Sequence, residues 1–144
     1  MFHLRYLYVF ALGGTGYALL EIAFRGTTHW TMLLTGGACV TAIYFLHRHA
    51  RLGIWQLCLL GGGIITAVEL GVGMAVNLAL GWDVWDYSAV PMNFLGQICP
   101  MFSAVWVLLT LPALKLCRAL DKYIFSQGQG SESCAVNKSG SDRL

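Results

Sequence analysis

Residues 13–21 read GGTGYALLE and residues 61–69 read GGGIITAVE. Each stretch lies inside a long apolar run, and in each a glycine pair precedes a glutamate by the same distance. Glu21 and Glu69 are therefore offset by 69 − 21 = 48 positions, as are Gly13-Gly14 and Gly61-Gly62. A carboxylate in hydrocarbon is costly, so it normally faces a partner, a cavity or a ligand. Two of them in matching small-residue frames predict a duplicated membrane unit with a polar interior.

Outward from these frames, apolar runs cover 6–24, 30–46, 54–82 and 92–114. Each is near or above the ~20 residues that a spanning helix needs. The expected fold class is all-α: a polytopic membrane protein with four transmembrane helices as two parallel helix-pair repeats over residues 1–125. Composition agrees, because only 11% of the residues are charged where a soluble domain carries about 25%. A net charge of +2 is too small for a nucleic-acid partner, and the basic residues flank apolar runs instead of forming one face. The lipid bilayer is the expected partner. The first run continues past Gly16 without an Ala-x-Ala site and carries Glu21, so it reads as a span and not as a cleaved leader. Residues 126–144, SQGQGSESCAVNKSGSDRL, are polar and rich in Gly and Ser, which predicts a disordered tail.

Basic residues fix an orientation. Arg5 precedes the first run, His47, Arg48, His49 and Arg51 follow the second, and Lys115, Arg118 and Lys122 follow the fourth. With four spans these fall on one side, which puts both termini in the cytoplasm. The other side carries Arg25 and a connector with Asp83 and Asp86.

The second helices of the two pairs match as well. Met32, Gly36 and Cys39 recur as Met92, Gly96 and Cys99, an offset of 92 − 32 = 60, and the copies would be related by an axis along the membrane normal. Helical spacing gathers Gly62, Thr66, Glu69, Gly73 and Asn77 on one face of span three. Similar stripes are Gly14, Tyr17, Glu21 and Arg25 on span one, and Gly96, Cys99, Ser103 and Trp106 on span four. Packing seams account for the glycines, but packing does not require a carboxylate. Pro100, expected inside span four, would leave the Gly96 carbonyl without its helical donor.

The polar residues collect in the outer half of the membrane. Glu69 lies roughly 22 Å along a helix that begins near Ile54, at ~1.5 Å per residue. The expected polar intramembrane site comprises Glu21, Arg25, Glu69, Asn77, Asp86, Asn93 and Gln97, with the last three at its rim. Glu21 and Arg25 are four apart and can pair, whereas Glu69 has no basic neighbour in its own helix. A carboxyl that gains and loses a proton there could couple proton movement to transport. Glu21, His29 and Glu69 are candidate metal ligands by residue type alone, since no HxxxH or ExxH pair is present. Trp82, Trp85 and Tyr87 read as interfacial anchors. The five cysteines form no CxxC, and the four within or at the ends of apolar runs read as small apolar side chains, so structural disulfides are not expected. No Walker A pattern occurs, so any ATPase would be a separate partner. No nucleophile elbow or catalytic Cys/His spacing is present, and no motif asks for a cofactor.

The stretch ELGVGMAVNLALGWDVWDYSAVPMNFLGQICPMFSAVW, residues 69–106, resembles the CmpB-like, ABC-transporter type IV family of small bacterial membrane proteins. The likeness rests on Glu69, Trp85-Asp86-Tyr87-Ser88, Asn93 after a proline, and Gly96-Gln97-Ile98-Cys99. Glu21, Arg25-Gly26 and Gly36-Gly37 fit its first half, and Pro100 directly after Cys99 departs from it. The resemblance implies transport and a bacterial inner membrane. The sequence thus predicts a transporter, channel or permease-like subunit, homo-oligomeric or joined to a membrane partner. The alternatives are a membrane enzyme or metal-binding protein using the same carboxylates, and a scaffold or assembly subunit.

Overall fold

Apolar runs of this length become helices because hydrocarbon offers their backbone groups no other hydrogen-bond partner. A computed structural model describes residues 2–125; the tail expected at 126–144 lies outside the described residues. Helix α1 spans Phe2–Arg25, α2 Trp30–His49 and α3 Ile54–Gly73, the last continued by a π-helical turn at Met74–Ala79. Helix α4 spans Pro100–Leu120 and is continued by a π-helical turn at Asp121–Phe125. All four are long and apolar enough to cross a membrane, and the regular structure of the described residues is all helical, as the sequence predicts. Among the described residues the only β pairing is an isolated bridge between Phe94 and Ile98.

Local chemistry sets the helix ends. Gly26 (φ 75°) closes α1 with its N–H on the Ile22 carbonyl at 2.8 Å, the left-handed ending that glycine favours. His29 caps α2, its ring Nδ1 lying 2.8 Å from the Thr31 hydroxyl. At the start of α3 the Gln56 side chain accepts the Gly53 N–H at 3.0 Å.

Two expected spans end elsewhere. Span three is helical only to Ala79, not to residue 82, because the Asn77 side chain takes the Val84 N–H at 2.7 Å and turns the chain back. Span four begins at Pro100, not at residue 92. Pro100 occupies the first helical position, where its missing N–H costs nothing. The Gly96 carbonyl, expected to lack a donor, accepts the Tyr87 N–H at 2.7 Å. The proline inside α4 is Pro112.

The closest helix pairs are α1 with α2 and α3 with α4, and the two hairpins meet chiefly through α2. The Gly-Gly frames do the same job in both. A Cβ on Gly14 would strike the Leu33 carbonyl in α2, and one on Gly62 would strike the Val107 backbone in α4. The offset of 60 does not extend this likeness to the second helices. Met32, Gly36 and Cys39 lie within α2, whereas Met92 and Gly96 lie in the connector and Cys99 immediately precedes α4.

At one end of the bundle the basic residues meet the last turn of the described chain. Arg48 pairs with Asp121 at 3.1 Å, Tyr44 donates to the same carboxylate at 2.7 Å, and Arg5 reaches the Phe125 carbonyl at 3.3 Å. Val9, Tyr44, Cys117 and Leu120 pack above this end, and Met32, Val76 and Trp85 pack at the other.

Candidate functional site

Residues 80–99 fold into a cap over the second end, fastened by side chains that the sequence assigns to a polar site. Asn77, in the π-helical turn, donates to the Trp85 carbonyl at 2.9 Å and to Gln97 Oε1 at 2.7 Å. Gln97 in turn accepts the Trp85 indole N–H on its main-chain carbonyl at 3.0 Å. Asn93 donates to the Ser88 and Val90 carbonyls and accepts the Gly96 N–H. Asp86 holds the Ser88 N–H at 2.8 Å and its hydroxyl at 2.7 Å, and those bonds keep its carboxyl below its ordinary value. Met92 (φ 60°) and Leu95 (φ 54°) take left-handed backbone, a conformation such residues keep only where the surroundings over-determine it. Asn77, Asp86, Asn93 and Gln97 are thus brought together, but they build the cap.

The two glutamates have different surroundings. Glu21 is clamped at both oxygens, by Arg25 at 2.6 Å and by the Thr28 hydroxyl at 2.6 Å. Arg25 also donates to the Val84 carbonyl at 2.8 Å, so the pair ties the α1–α2 turn to the cap. Glu69 is 4% exposed. Its Oε1 accepts the Tyr87 hydroxyl at 2.9 Å and its Oε2 the Trp106 indole N–H at 2.8 Å. Both donors are neutral, and among the described residues no basic side chain forms an ion pair with it.

Glu69 also lines a cavity of about 240 Å³ whose walls come from all four helices. Tyr17 and Trp106 stand beside it, ring centroids 6.0 Å apart, and both line the same cavity. Glu21 does not. The geometry therefore separates the carboxylates that the sequence puts in one site.

A family model described as “Putative ABC-transporter type IV” matches residues 17–131. The chain belongs to that family. No solved structure matches it. The type IV family match takes in both glutamates, the whole cap and α4. Together with four apolar helices it makes the chain a membrane protein of a transport-related family, one whose name is consistent with a membrane partner or an ATPase.

Tyr87 and Trp106 are the site residues that sequence reasoning undervalued. Tyr87 and Trp85 read as interfacial anchors, but Trp85 is buried and Tyr87 turns inward, stacked on Phe102 with centroids 4.6 Å apart. Burial first, and then the charge of Glu69, pushes the Tyr87 phenol well above its ordinary value, so it remains a donor. Trp82 does stay at the rim, grouped with His29 and Trp30. The available signal was the Asp86-Tyr87-Ser88 run beside Trp85, polar groups that no anchor role requires. The metal candidates are not assembled: among the described residues no three of His, Cys, Asp and Glu gather, and His29 serves as the α2 cap.

Tyr87→Phe should keep the ring stack and delete only the hydroxyl on Glu69. A hydrogen bond to a carboxylate contributes about 1.5–3 kcal/mol, so thermal unfolding in detergent should shift down by that equivalent. Unchanged stability would show that the Tyr87–Glu69 bond does not hold the cap.

Proposed function

We propose that this chain is a permease-like subunit of the bacterial inner membrane, with both termini cytoplasmic and Glu69 as the polar centre of its transport site. The observation that carries this reading is a carboxylate buried in a spanning helix that nonetheless lines a cavity and, among the described residues, forms no ion pair with a basic side chain. A side chain serving packing alone has no need of that cavity, and an intramembrane carboxylate is by default a functional group. The orientation is supported by the clustering of Arg5, Arg48 and the end of α4 at the pole opposite the cap. Energy from nucleotide hydrolysis would be supplied by a separate ATPase, since the chain carries no Walker A pattern. Glu21, clamped on both oxygens, is assigned to fastening and not to transport.

The test uses a host lacking the chromosomal copy. Small molecules inside and outside the cells are profiled by mass spectrometry with no protein, wild type and Glu69→Gln, each variant checked for membrane abundance. At least one compound should redistribute in the null strain, return with wild type and fail to return with Glu69→Gln. Full rescue by Glu69→Gln would remove Glu69 from the transport site.

A further inference from the structure

The cavity beside Glu69 is a cleft between α1 and α4. Extensive contacts join α1 to α2, α3 to α4, and α2 to both α3 and α4, but not α1 to either α3 or α4. The cleft runs along that gap, floored by α2 and α3. On α1 it is bounded by Leu12 and Leu20 and on α4 by Leu109 and Leu116, all of them exposed. These residues belong to the spans, so the gap opens sideways at hydrocarbon depth. From Leu12 to Leu20, or from Trp106 to Leu116, the cleft extends about 12–15 Å along the bundle at 1.5 Å per residue. Its wall is apolar apart from a few groups, and among the described residues Glu69 is the one charged side chain in it. A cavity of roughly 150 Å³ holds a benzene ring, so one of about 240 Å³ that is long and half-open suits a chain.

From this shape we infer that the cleft binds a single apolar tail of a membrane amphiphile, entering laterally from the bilayer, with a hydrogen-bond-donating head at Glu69. The inference rests on the reading of Glu69 as the polar centre and names the ligand class for that site. The occupant follows from what can reach the opening and from what the opening offers. Lipid tails are the medium against Leu12, Leu20, Leu109 and Leu116. A carboxylate has about four acceptor positions, of which Tyr87 and Trp106 use two. A head with an amine or hydroxyl supplies donors where, among the described residues, no basic side chain pairs with Glu69. Tyr17 completes the polar end of the cleft.

Two glycines allow a clean test. A Cβ on Gly16, which lines the cleft, meets nothing within 4 Å, and the same holds for Gly63, which does not line it. Gly16→Leu should fill the cleft without breaking a helix contact, and Gly63→Leu adds the same bulk elsewhere. The full chain is reconstituted in phosphatidylcholine vesicles containing a trace of a single-tail probe with a photoreactive tail and either an amine head or an acylated, donor-poor one. After illumination, peptide mass spectrometry maps the adducts. Wild type and Gly63→Leu should carry adducts at Leu12, Leu20, Leu109 or Leu116, with the amine head preferred. Gly16→Leu should lose them about ten-fold, the penalty when a few buried methylenes no longer fit, and Glu69→Gln should keep the adducts but lose the head preference. Labelling spread evenly around the bundle, or unaffected by Gly16→Leu, would overturn the amphiphile and leave Glu69 to the transport experiment. Cleft adducts without any head preference would overturn both the inference and the role of Glu69 as polar centre. Chain-to-chain crosslinks through Leu12 or Leu116 would replace the amphiphile by a second copy.

Discussion

Asn77→Leu is expected to release the cap while leaving the α1–α2 hairpin folded. Asn77 is buried and satisfies three partners at once: the Val84 N–H, the Trp85 carbonyl and Gln97 Oε1. Leucine has similar bulk but offers none of these bonds. Orphaned buried groups cost about 1–3 kcal/mol each, so losing several of them should cost roughly 3–5 kcal/mol, a large share of ordinary domain stability. The loss falls on one unit because Gln97 also fixes the Trp85 indole, and the chain from Val84 to Tyr87 carries the phenol down to Glu69. Hydrogen exchange provides the measurement. Amides of residues 84–97 should exchange much faster in the variant, and those of α2 should not. Equal protection across the cap would show that something other than Asn77 holds it.

Gly62→Leu should be among the most damaging changes at the glycines. A Cβ there would lie 2.9 Å from both the N and the Cα of Val107, closer than real Cβ atoms come. Backbone cannot rotate aside as a side-chain tip can, so α3 and α4 must separate. Overpacking of this kind costs about 1–3 kcal/mol and occasionally more, and with backbone as the obstacle we expect the upper end. The shift should appear as a lower unfolding temperature in detergent and as weaker contact between Thr66 and Ser103, whose hydroxyls now meet at 3.1 Å. Gly63→Leu, one residue along and facing open space, should leave the unfolding temperature unchanged. If both variants behave alike, the close approach at Gly62 is not what joins the second hairpin.

These two sites mark what the sequence could and could not convey. Hydropathy and length located four helices, because hydrocarbon imposes a single rule on every backbone group, and the glycine frames located the helix contacts correctly. Pro100 and Asn77 were harder. Read as part of a continuous apolar run, residues 92–99 look like membrane helix, yet Met92, Asn93 and Gln97 make turns and hydrogen bonds that close a cap. The offset of 60 between Met32 and Met92 rested on that same misplacement. Asn77, Asp86, Asn93 and Gln97 were expected as polar groups near the outer face, but polarity alone does not separate lining a site from fastening a loop. The partners that decide it are non-local: Asn77 meets Gln97 across twenty positions and Glu69 meets Trp106 across thirty-seven.

The same reasoning separates the two glutamates. Their sequence frames are alike, yet Arg25, one turn on, and Thr28, seven positions on in the α1–α2 turn, saturate Glu21 locally, while among the described residues Glu69 draws its donors from the cap and α4. What remains of its acceptor capacity is left in the cleft between α1 and α4.

Reaction with an apolar carbodiimide tests that difference most directly. The reagent partitions into hydrocarbon and converts the carboxyl groups it reaches there into acylureas, which peptide mass spectrometry then locates. The reconstituted full chain should carry the adduct on Glu69 and not on Glu21, and Gly16→Leu should protect Glu69 by blocking the cleft. An adduct on Glu21 at the same rate, or a Glu69 reaction that Gly16→Leu leaves unchanged, would contradict a single accessible carboxylate at the α1–α4 opening.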